Sequence, residues 1–306
     1  MPDFAIVCDS ACDLSPELCR RLGVELVSQR LSLSGDELLD RNMTMDDALD
    51  VLAARARARV TAPGRDSFEA TFDELVDRGV KEIVVPAPSA ALVGTYDSAI
   101  EAATQYVDTK VTVIDTKAVS VQLALVVLRL VADRNAGLSA EEAIKRAVGM
   151  ASKTRLLSLL PPGIDLDRAC ILGDIRGLRR SLKTLGMRVS GGWLYTSINP
   201  GGTVRVERRS ESVDLLAGIL AREMSTYSQH EGPLTLLEAK SVDSGTLSKL
   251  HRPLNTNEFE HVCAGVLPIR PTSVVMVGVS AAGVAFAPQS LITPEEVSNL
   301  LGNVDR

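Results

Sequence analysis

The residues best suited to binding or catalysis carry hydroxyls or a carboxylate and stand where apolar runs of the sequence end. Ser89, Gly94 and Thr95 follow the apolar run 83–85, and Asp115 directly follows a second β-branched run. Each run precedes a helical pattern, so the spacing predicts two parallel strands whose carboxyl ends meet at one edge of a sheet. Hydroxyls and helix N-terminal N–H groups at such a corner are suited to holding a small anion. The alternative is that these residues serve only as helix caps.

Two further groups of residues could add donors to this corner. Thr61 stands in the turn-rich loop 60–66 and would present another hydroxyl, although a loop threonine is usually only solvated. Basic residues cluster within 176–188 and 205–209. A solvated face is the usual explanation, but one arginine over the crevice would supply the charge that hydroxyls lack. No GxGxxG or GKT/S motif occurs, so a dinucleotide or P-loop nucleotide site is not indicated.

The composition is that of a soluble globular protein long enough for two domains. The chain has 306 residues, of which 45% are apolar and 24% are charged. Only 3% are aromatic, which argues against stacking platforms for bases or sugars, and the net charge of −6 argues against a nucleic-acid surface. We therefore expect a small-molecule ligand and no nucleic-acid partner.

Cysteines, histidines and the longest apolar stretch all predict a cytoplasmic protein without a metal or cofactor. The five cysteines lack CxxC pairing, which fits a reducing compartment, and the three histidines are scattered. No secretory signal follows Met1. The stretch 119–132 is interrupted by Gln122 and Arg129 and is too short to span a bilayer, so it predicts a buried helix.

The elements that must position these residues fall into two predicted domains, 1–154 and 155–306. In the first, short apolar runs alternate with helical patterns, which predicts a parallel sheet with flanking helices. The second, near Pro161-Pro162-Gly163, changes to hairpin-like segments and predicts a mixed or mostly antiparallel sheet with helices. Its last two strands are expected around 260–267 and 274–286.

Several short segments, in order, resemble the motifs of one family. DSACDL at 9–14 is similar to DSTADL, VTAP at 60–63 to TSQP, LVGTYDSA at 92–99 to LSGTYQSA, and 113–120 to a viDS…S pattern. Asp40 stands where the family also has an aspartate. Each motif alone is weak, but their order and spacing resemble the DegV family, bacterial fatty-acid-binding proteins that serve fatty-acid kinase.

The resemblance implies a two-domain α/β fold with a Rossmann-like N-terminal sheet and an acyl chain enclosed between the domains. It implies that Thr61 and Ser89 hold the fatty-acid carboxylate, with Gly94 and Thr95 at the neighbouring helix start. The carboxylate would be offered to a partner kinase that makes the acyl-phosphate, so this chain would be a non-catalytic lipid-binding subunit. A long-chain fatty acid is then the expected ligand, and transient contact with a membrane surface is compatible with that role.

The second half departs from the family pattern. The family's GGR is replaced by GLRR, so its arginine corresponds loosely to Arg179, and the arginine after the hairpin corresponds to Arg209. The family's HTGPG is replaced by GVSAAG, in which Ser280 is the candidate donor in place of the histidine. Two alternatives stay open: a diverged lipid-binding or regulatory protein without hand-off to a kinase, and a binder or enzyme for a phosphorylated metabolite.

Overall fold

The first half of the chain forms a parallel sheet wrapped by helices. The computed structural model describes residues 4–33, 35–54, 58–164, 191–256 and 258–302. The strands of this sheet are β1 (Ala5–Asp9), β2 (Val24–Val27), β6 (Glu82–Ala87) and β7 (Lys110–Asp115). They lie in the order β2-β1-β6-β7, and all neighbouring strands are parallel. The carboxyl ends of β1, β6 and β7 therefore meet at one edge, as the alternating pattern predicts.

Helices connect these strands and cover them. They are α1 (Pro16–Leu22), α2 (Met45–Ala53), α3 (Arg65–Asp77), α4 (Thr95–Ala103), α5 (Ser120–Asn135) and α6 (Ala140–Lys153). The first starts at Ser15, whose hydroxyl accepts a hydrogen bond from the Leu18 N–H, with proline at the first helical position. Capping boxes begin α2 and α6, so local sequence fixes where several of these helices start.

A small antiparallel sheet lies beside the parallel one. Its strands are β3 (Arg30–Leu33), β4 (Asp36–Leu39) and β5 (Arg59–Thr61), in the order β4-β3-β5. The sequence predicted a loop around Thr61, but Thr61 is the last residue of β5 and lies opposite Arg30. This prediction was wrong because a three-residue strand carries too little periodicity to be seen without its distant partner.

The second half forms a mixed sheet, as predicted. Its strands are β8 (Arg155–Leu160), β9 (Trp193–Ile198), β10 (Val204–Ser210), β11 (Leu234–Lys240), β12 (His261–Pro268) and β13 (Ala282–Pro288). The order is β10-β9-β8-β13-β11-β12, and among these neighbours β11 and β12 are parallel whereas the others are antiparallel. The accompanying helices are α7 (Val213–Glu231), α8 (Gly245–Leu254), α9 (Pro271–Val277) and α10 (Pro294–Leu301).

One predicted strand of the second half is partly a helix. Residues 274–277 were expected to open a strand, but they complete α9, and the strand begins at Ala282. The run VVMV is too short for its period to be read, and Pro271 at the first helical position favours a helix. The helix also gains two carboxylate partners from the first half of the chain, which no local pattern shows.

Helix α5 is the centre of the molecule. It contacts β1 and β6 of the parallel sheet as well as β8, β11 and β13 of the mixed sheet, and residues 121–131 are buried. The expectation of a buried helix is confirmed. Within the described ranges, no helix is both long and apolar enough to cross a membrane. The division at 154/155 stays a prediction, with β8 lying in the second sheet and α5 packed against both sheets.

Candidate functional site

We call the parallel and small sheets with helices α1–α6 the first lobe, and the mixed sheet with helices α7–α10 the second lobe. A cavity of about 140 Å³ lies between these two lobes. Most of its wall is apolar, and both halves of the chain contribute to it. Its described lining residues are Ala11, Asp13, Gln29, Leu92, Val93, Val119, Ser120, Leu156, Ser158, Leu160, Thr196, Ser197, Ile198, Val204, Ala239, Ile269, Ser273, Met276, Val277, Ala281, Ala282 and Gly283. None of these is a lysine or an arginine. Such a wall suits an apolar ligand better than a multiply charged one.

Ser89 lies at the contact between the lobes. Its side chain is fully buried, and its hydroxyl donates a 2.7 Å hydrogen bond to the carbonyl of Gly202, in the turn between β9 and β10. Its own N–H donates to the Ala118 carbonyl at 2.9 Å. Leu92 and Val93, which follow in the same turn, line the cavity. The serine predicted to bind an anion therefore stands next to the cavity, although it is not itself among the described lining residues.

The close approach at Gly202 yields a mutational prediction. Gly202 has φ +81°, and a Cβ there would collide with the Ser89 hydroxyl. Gly202→Ala is expected to lower the free energy of unfolding by about 1–3 kcal/mol because it adds strain at a positive φ and displaces Ser89. Urea denaturation would measure this change. Gly201→Ala is the matched control, since its Cβ meets only the end of the Asn199 side chain, and an equal loss in both variants would contradict the assignment.

Thr95 and Gly94 lie at the start of α4, as predicted, but the threonine hydroxyl already has a partner. Gly94 is the residue before the helix, and the buried Thr95 hydroxyl donates to Asp9 Oδ2 at 2.5 Å. Asp9, at the end of β1, also accepts from the Ala11 N–H at 2.7 Å. The end of β1 is thus joined to the start of α4 by a carboxylate–hydroxyl pair, so the Thr95 hydroxyl is already engaged.

Thr61 is paired in the small sheet beside a residue that lines the cavity, but Thr61 itself is not among the described lining residues. It lies opposite Arg30 in the small sheet, and the preceding residue, Gln29, lines the cavity. The Gln29 N–H donates to the Ser10 hydroxyl at 2.9 Å, which ties this strand to the end of β1. Within the part of the chain that the structure describes, the half-buried Thr61 hydroxyl has no hydrogen-bond partner. The contact of this hydroxyl with a ligand stays a prediction.

Asp13 is a lining residue whose role the sequence did not reveal. Its carboxylate accepts hydrogen bonds from the backbone N–H of Arg270 at 2.8 Å, the Ser273 hydroxyl at 2.7 Å and the Ser120 hydroxyl at 2.5 Å. Burial raises the pKa of Asp13 to about 7 despite these donors. Both Asp13 and Ser120 have positive φ, 57° and 53°, a strained conformation for non-glycine residues. The DSACDL motif was the available signal for this residue.

Asp40 forms the second link between the lobes at the same helix start. It is fully buried, and its carboxylate accepts from Arg270 Nε at 2.8 Å and from the Thr272 hydroxyl at 2.7 Å. Since Asp13 and Asp40 both bind residues 270–273, two carboxylates of the first half hold the start of α9. That helix supplies Met276 and Val277 to the cavity wall, so the two links position one side of the cavity.

Comparison with known proteins assigns the chain to a family. The family model named DegV, which describes an uncharacterised protein family, matches residues 3–160. The chain belongs to the DegV family. A DegV domain-containing protein of Staphylococcus aureus (strain N315) is 28% identical over 174 residues, which cover 56% of this chain and 62% of that protein. One from Streptococcus pyogenes serotype M3 is 26% identical over 184 residues, covering 60% of this chain and 66% of the relative.

Solved structures of DegV proteins share the fold over nearly the whole chain. A Thermus thermophilus DegV protein described by its fatty-acid binding superposes with a TM-score of 0.79 at 20% identity and covers 93% of this chain and 99% of its own. A Streptococcus agalactiae protein described as a fatty acid binding DegV protein gives 0.78 at 13%, with 93% and 98% covered. The two-domain DegV architecture is therefore confirmed for this chain.

Two of the three second-lobe residues that the DegV resemblance singled out, Arg209 and Ser280, can be located in the structure. The Ser280 hydroxyl donates to Asp243 Oδ2 at 3.1 Å, and the Arg209 guanidinium donates to the Gly191 carbonyl. Neither is among the described residues that line the cavity. Arg179 lies outside the described residues. Within those ranges, no group of three or more histidine, cysteine or acidic side chains is arranged to hold a metal ion.

Proposed function

We propose that this protein binds one long-chain fatty acid with its acyl chain between the two lobes. The observation that carries this proposal is the apolar cavity whose wall comes from both halves of the chain. Burying an apolar chain there gains roughly 0.8 kcal/mol for each methylene removed from water. The fatty-acid binding described for DegV proteins of the same fold supports it.

A phosphorylated metabolite fits the same cavity poorly. A phosphate needs several donors or cations, and no lysine or arginine lines the cavity among the described residues. The polar side chains there include Asp13, whose carboxylate would repel a phosphate when ionised. The electrostatics of the wall therefore favour an acyl chain over a phosphorylated ligand.

The carboxylate of the fatty acid is assigned to the edge of the parallel sheet. Ser89 offers a hydroxyl that now donates to the Gly202 carbonyl, and the N–H groups of Gly94 and Thr95 lie at the start of α4. Thr61, in the neighbouring small sheet, offers a hydroxyl without a partner among the described residues. A partly buried carboxylate needs several donors because leaving it unpaired is costly. Binding requires the Ser89 hydroxyl to turn from the Gly202 carbonyl toward the ligand, so the contact between the lobes would respond to the ligand.

Removing the two hydroxyls tests this assignment. Thr61→Ala and Ser89→Ala are each expected to weaken palmitate binding about tenfold, because each removes a hydrogen bond to a charged group. The double variant should weaken it more than either single change, as measured by displacement of a fluorescent fatty acid. A Thr104→Ala/Ser152→Ala variant, which removes two exposed hydroxyls outside the cavity wall, is the control. If the Thr61/Ser89 double variant binds palmitate as the wild type does, the assignment is wrong.

The role after binding has two candidates. In the first, this non-catalytic cytoplasmic subunit takes its ligand up at a membrane surface and presents the carboxylate to a fatty-acid kinase, which the N-terminal motifs support. In the second, it binds lipid as a regulatory protein without hand-off, which is favoured by the engagement of Ser280 with Asp243. Incubation of the loaded protein with a bacterial fatty-acid kinase and ATP separates them, since acyl-phosphate forms only in the first.

A further inference from the structure

The cavity-facing side of the mixed sheet is interrupted by hydroxyls. In β8, Leu156 and Leu160 line the cavity, and Ser158, which also lines it, stands between them. In β9, Thr196 takes the corresponding place before Ile198. Side chains on one face of a strand recur every second residue, so an apolar wall would have leucine-like residues at both central positions. Instead, Ser158 and Thr196 form a polar strip across two strands, which we call the notch together with the glycine beside it, Gly283.

The notch is one row across the sheet. Ser158 lies directly opposite Thr196 on one side and opposite Gly283 of β13 on the other. A Cβ at Gly283 would stand 3.0 Å from the Ser158 hydroxyl, so the glycine keeps space open beside it. All three residues line the cavity.

Among the described residues, the two hydroxyls have no hydrogen-bond partner. Thr196 is only 4% exposed, and neither its hydroxyl nor that of Ser158 makes a hydrogen bond to another group within the ranges that the structure describes. Ser158 is half-buried, and neither hydroxyl is among the described polar atoms that are both fully buried and unpaired, so both can be reached from the cavity that they line. The neighbouring Ser197, in contrast, donates to Glu207 at 2.7 Å. The unpaired hydroxyls therefore point to a polar group on the ligand.

The notch lies away from the proposed carboxylate site. Ser89 contacts Gly202, in the turn that follows β9. This turn begins at Asn199, three residues after Thr196. At roughly 3.3 Å per residue of strand, the notch is on the order of 10 Å from this contact. A ligand held by its carboxylate at Ser89 would pass the notch with the middle of its chain.

We propose that the cavity selects a fatty acid bearing a hydroxyl group on a mid-chain carbon, with Ser158 and Thr196 as its hydrogen-bond partners. This inference rests on the proposed fatty-acid binding. Serine and threonine hydroxyls both donate and accept, so the pair can satisfy both the hydrogen and the lone pairs of a ligand hydroxyl. The space beside Gly283 accommodates the substituent.

A competition experiment tests the selection. Stearic acid and its mid-chain monohydroxy derivatives are compared by displacement of a fluorescent fatty acid from the full-length protein. The wild type is expected to bind the best hydroxy acid about three- to tenfold more tightly than stearic acid. The Ser158→Ala/Thr196→Val variant should lose this preference and retain binding of stearic acid. The Thr104→Ala/Ser152→Ala variant, whose two exposed hydroxyls lie outside the cavity wall, should keep the preference.

The outcomes separate this inference from the proposed function. If the wild type binds stearic acid as tightly as every hydroxy acid, or if the double variant keeps the preference, hydroxyl selection is overturned while fatty-acid binding stands. If neither acid displaces the probe, fatty-acid binding fails and the selection fails with it.

Discussion

Replacing Asp40 by alanine is expected to lower the free energy of unfolding by about 3–5 kcal/mol, because it removes a fully buried carboxylate and leaves the partly buried Arg270 guanidinium without its ion-pair partner. The Arg270 side chain is 14% exposed and the Asp40 side chain is fully buried. The change also removes the acceptor for the Thr272 hydroxyl and N–H. Urea denaturation followed by circular dichroism would measure the loss.

Two variants sharpen this experiment. Asp40→Asn keeps an acceptor for Thr272 but loses the charge, so it should be destabilised less than Asp40→Ala. Asp36→Ala removes an exposed carboxylate at the start of β4, the strand that ends just before Asp40, and should change stability by less than about 0.5 kcal/mol. Equal stability of the Asp40→Ala and Asp36→Ala variants would show that the Asp40 link does not hold the lobes together.

The second large effect is a fall in stability as the pH rises from about 4 to about 7. Burial raises the pKa of Asp9 and that of Asp13 to about 7 in the folded protein. At a pH between the pKa of the unfolded state and that of the folded state, the folded state binds more protons than the unfolded state. The free energy of unfolding is therefore greatest below the unfolded-state pKa, and it declines until the pH passes the folded-state pKa. The decline is on the order of 4 kcal/mol for each carboxyl. Exposed carboxylates such as Asp47, with a lowered pKa, act in the opposite sense but are screened by solvent.

Asparagine substitutions show which carboxyl groups cause this loss of stability. Asp13→Asn retains an acceptor for Arg270 and Ser273 but cannot ionise, so unfolding free energies measured between pH 4 and pH 8 should fall less steeply than in the wild type. Asp9→Asn should have a similar effect, and Asp36→Asn should have none. A wild-type stability that rises steadily from pH 4 to pH 7 would contradict the raised pKa values.

The parts of the fold carried by local pattern were predictable from the sequence. Apolar runs that end at Asp9 and Asp115 predicted parallel strands, and the continuous apolar stretch 119–132 predicted the buried α5. The hairpin of β9 and β10 was visible from its glycine-rich turn. In each case the signal lies within about 20 residues of chain, where periodicity and turn chemistry decide the structure.

The parts of the site that depend on distant pairing were not predictable in the same way. Thr61 becomes a strand residue only through β3, and α9 is fixed partly by Asp13 and Asp40, more than 200 residues away in the chain. In the sequence, Ser158 and Thr196 look like ordinary strand residues. Only the pairing of β8 with β9 places their hydroxyls side by side on the cavity wall. Sequence pattern reports which side chains share a face of one element, not which element that face will meet.

The central claim is that the cavity between the lobes is a fatty-acid site. The most direct test is to purify the protein gently from a bacterial host, denature it, extract the released lipid and quantify it against protein by mass spectrometry. The account predicts about one long-chain fatty acid per chain. Repeated preparations that release no long-chain acid would contradict it.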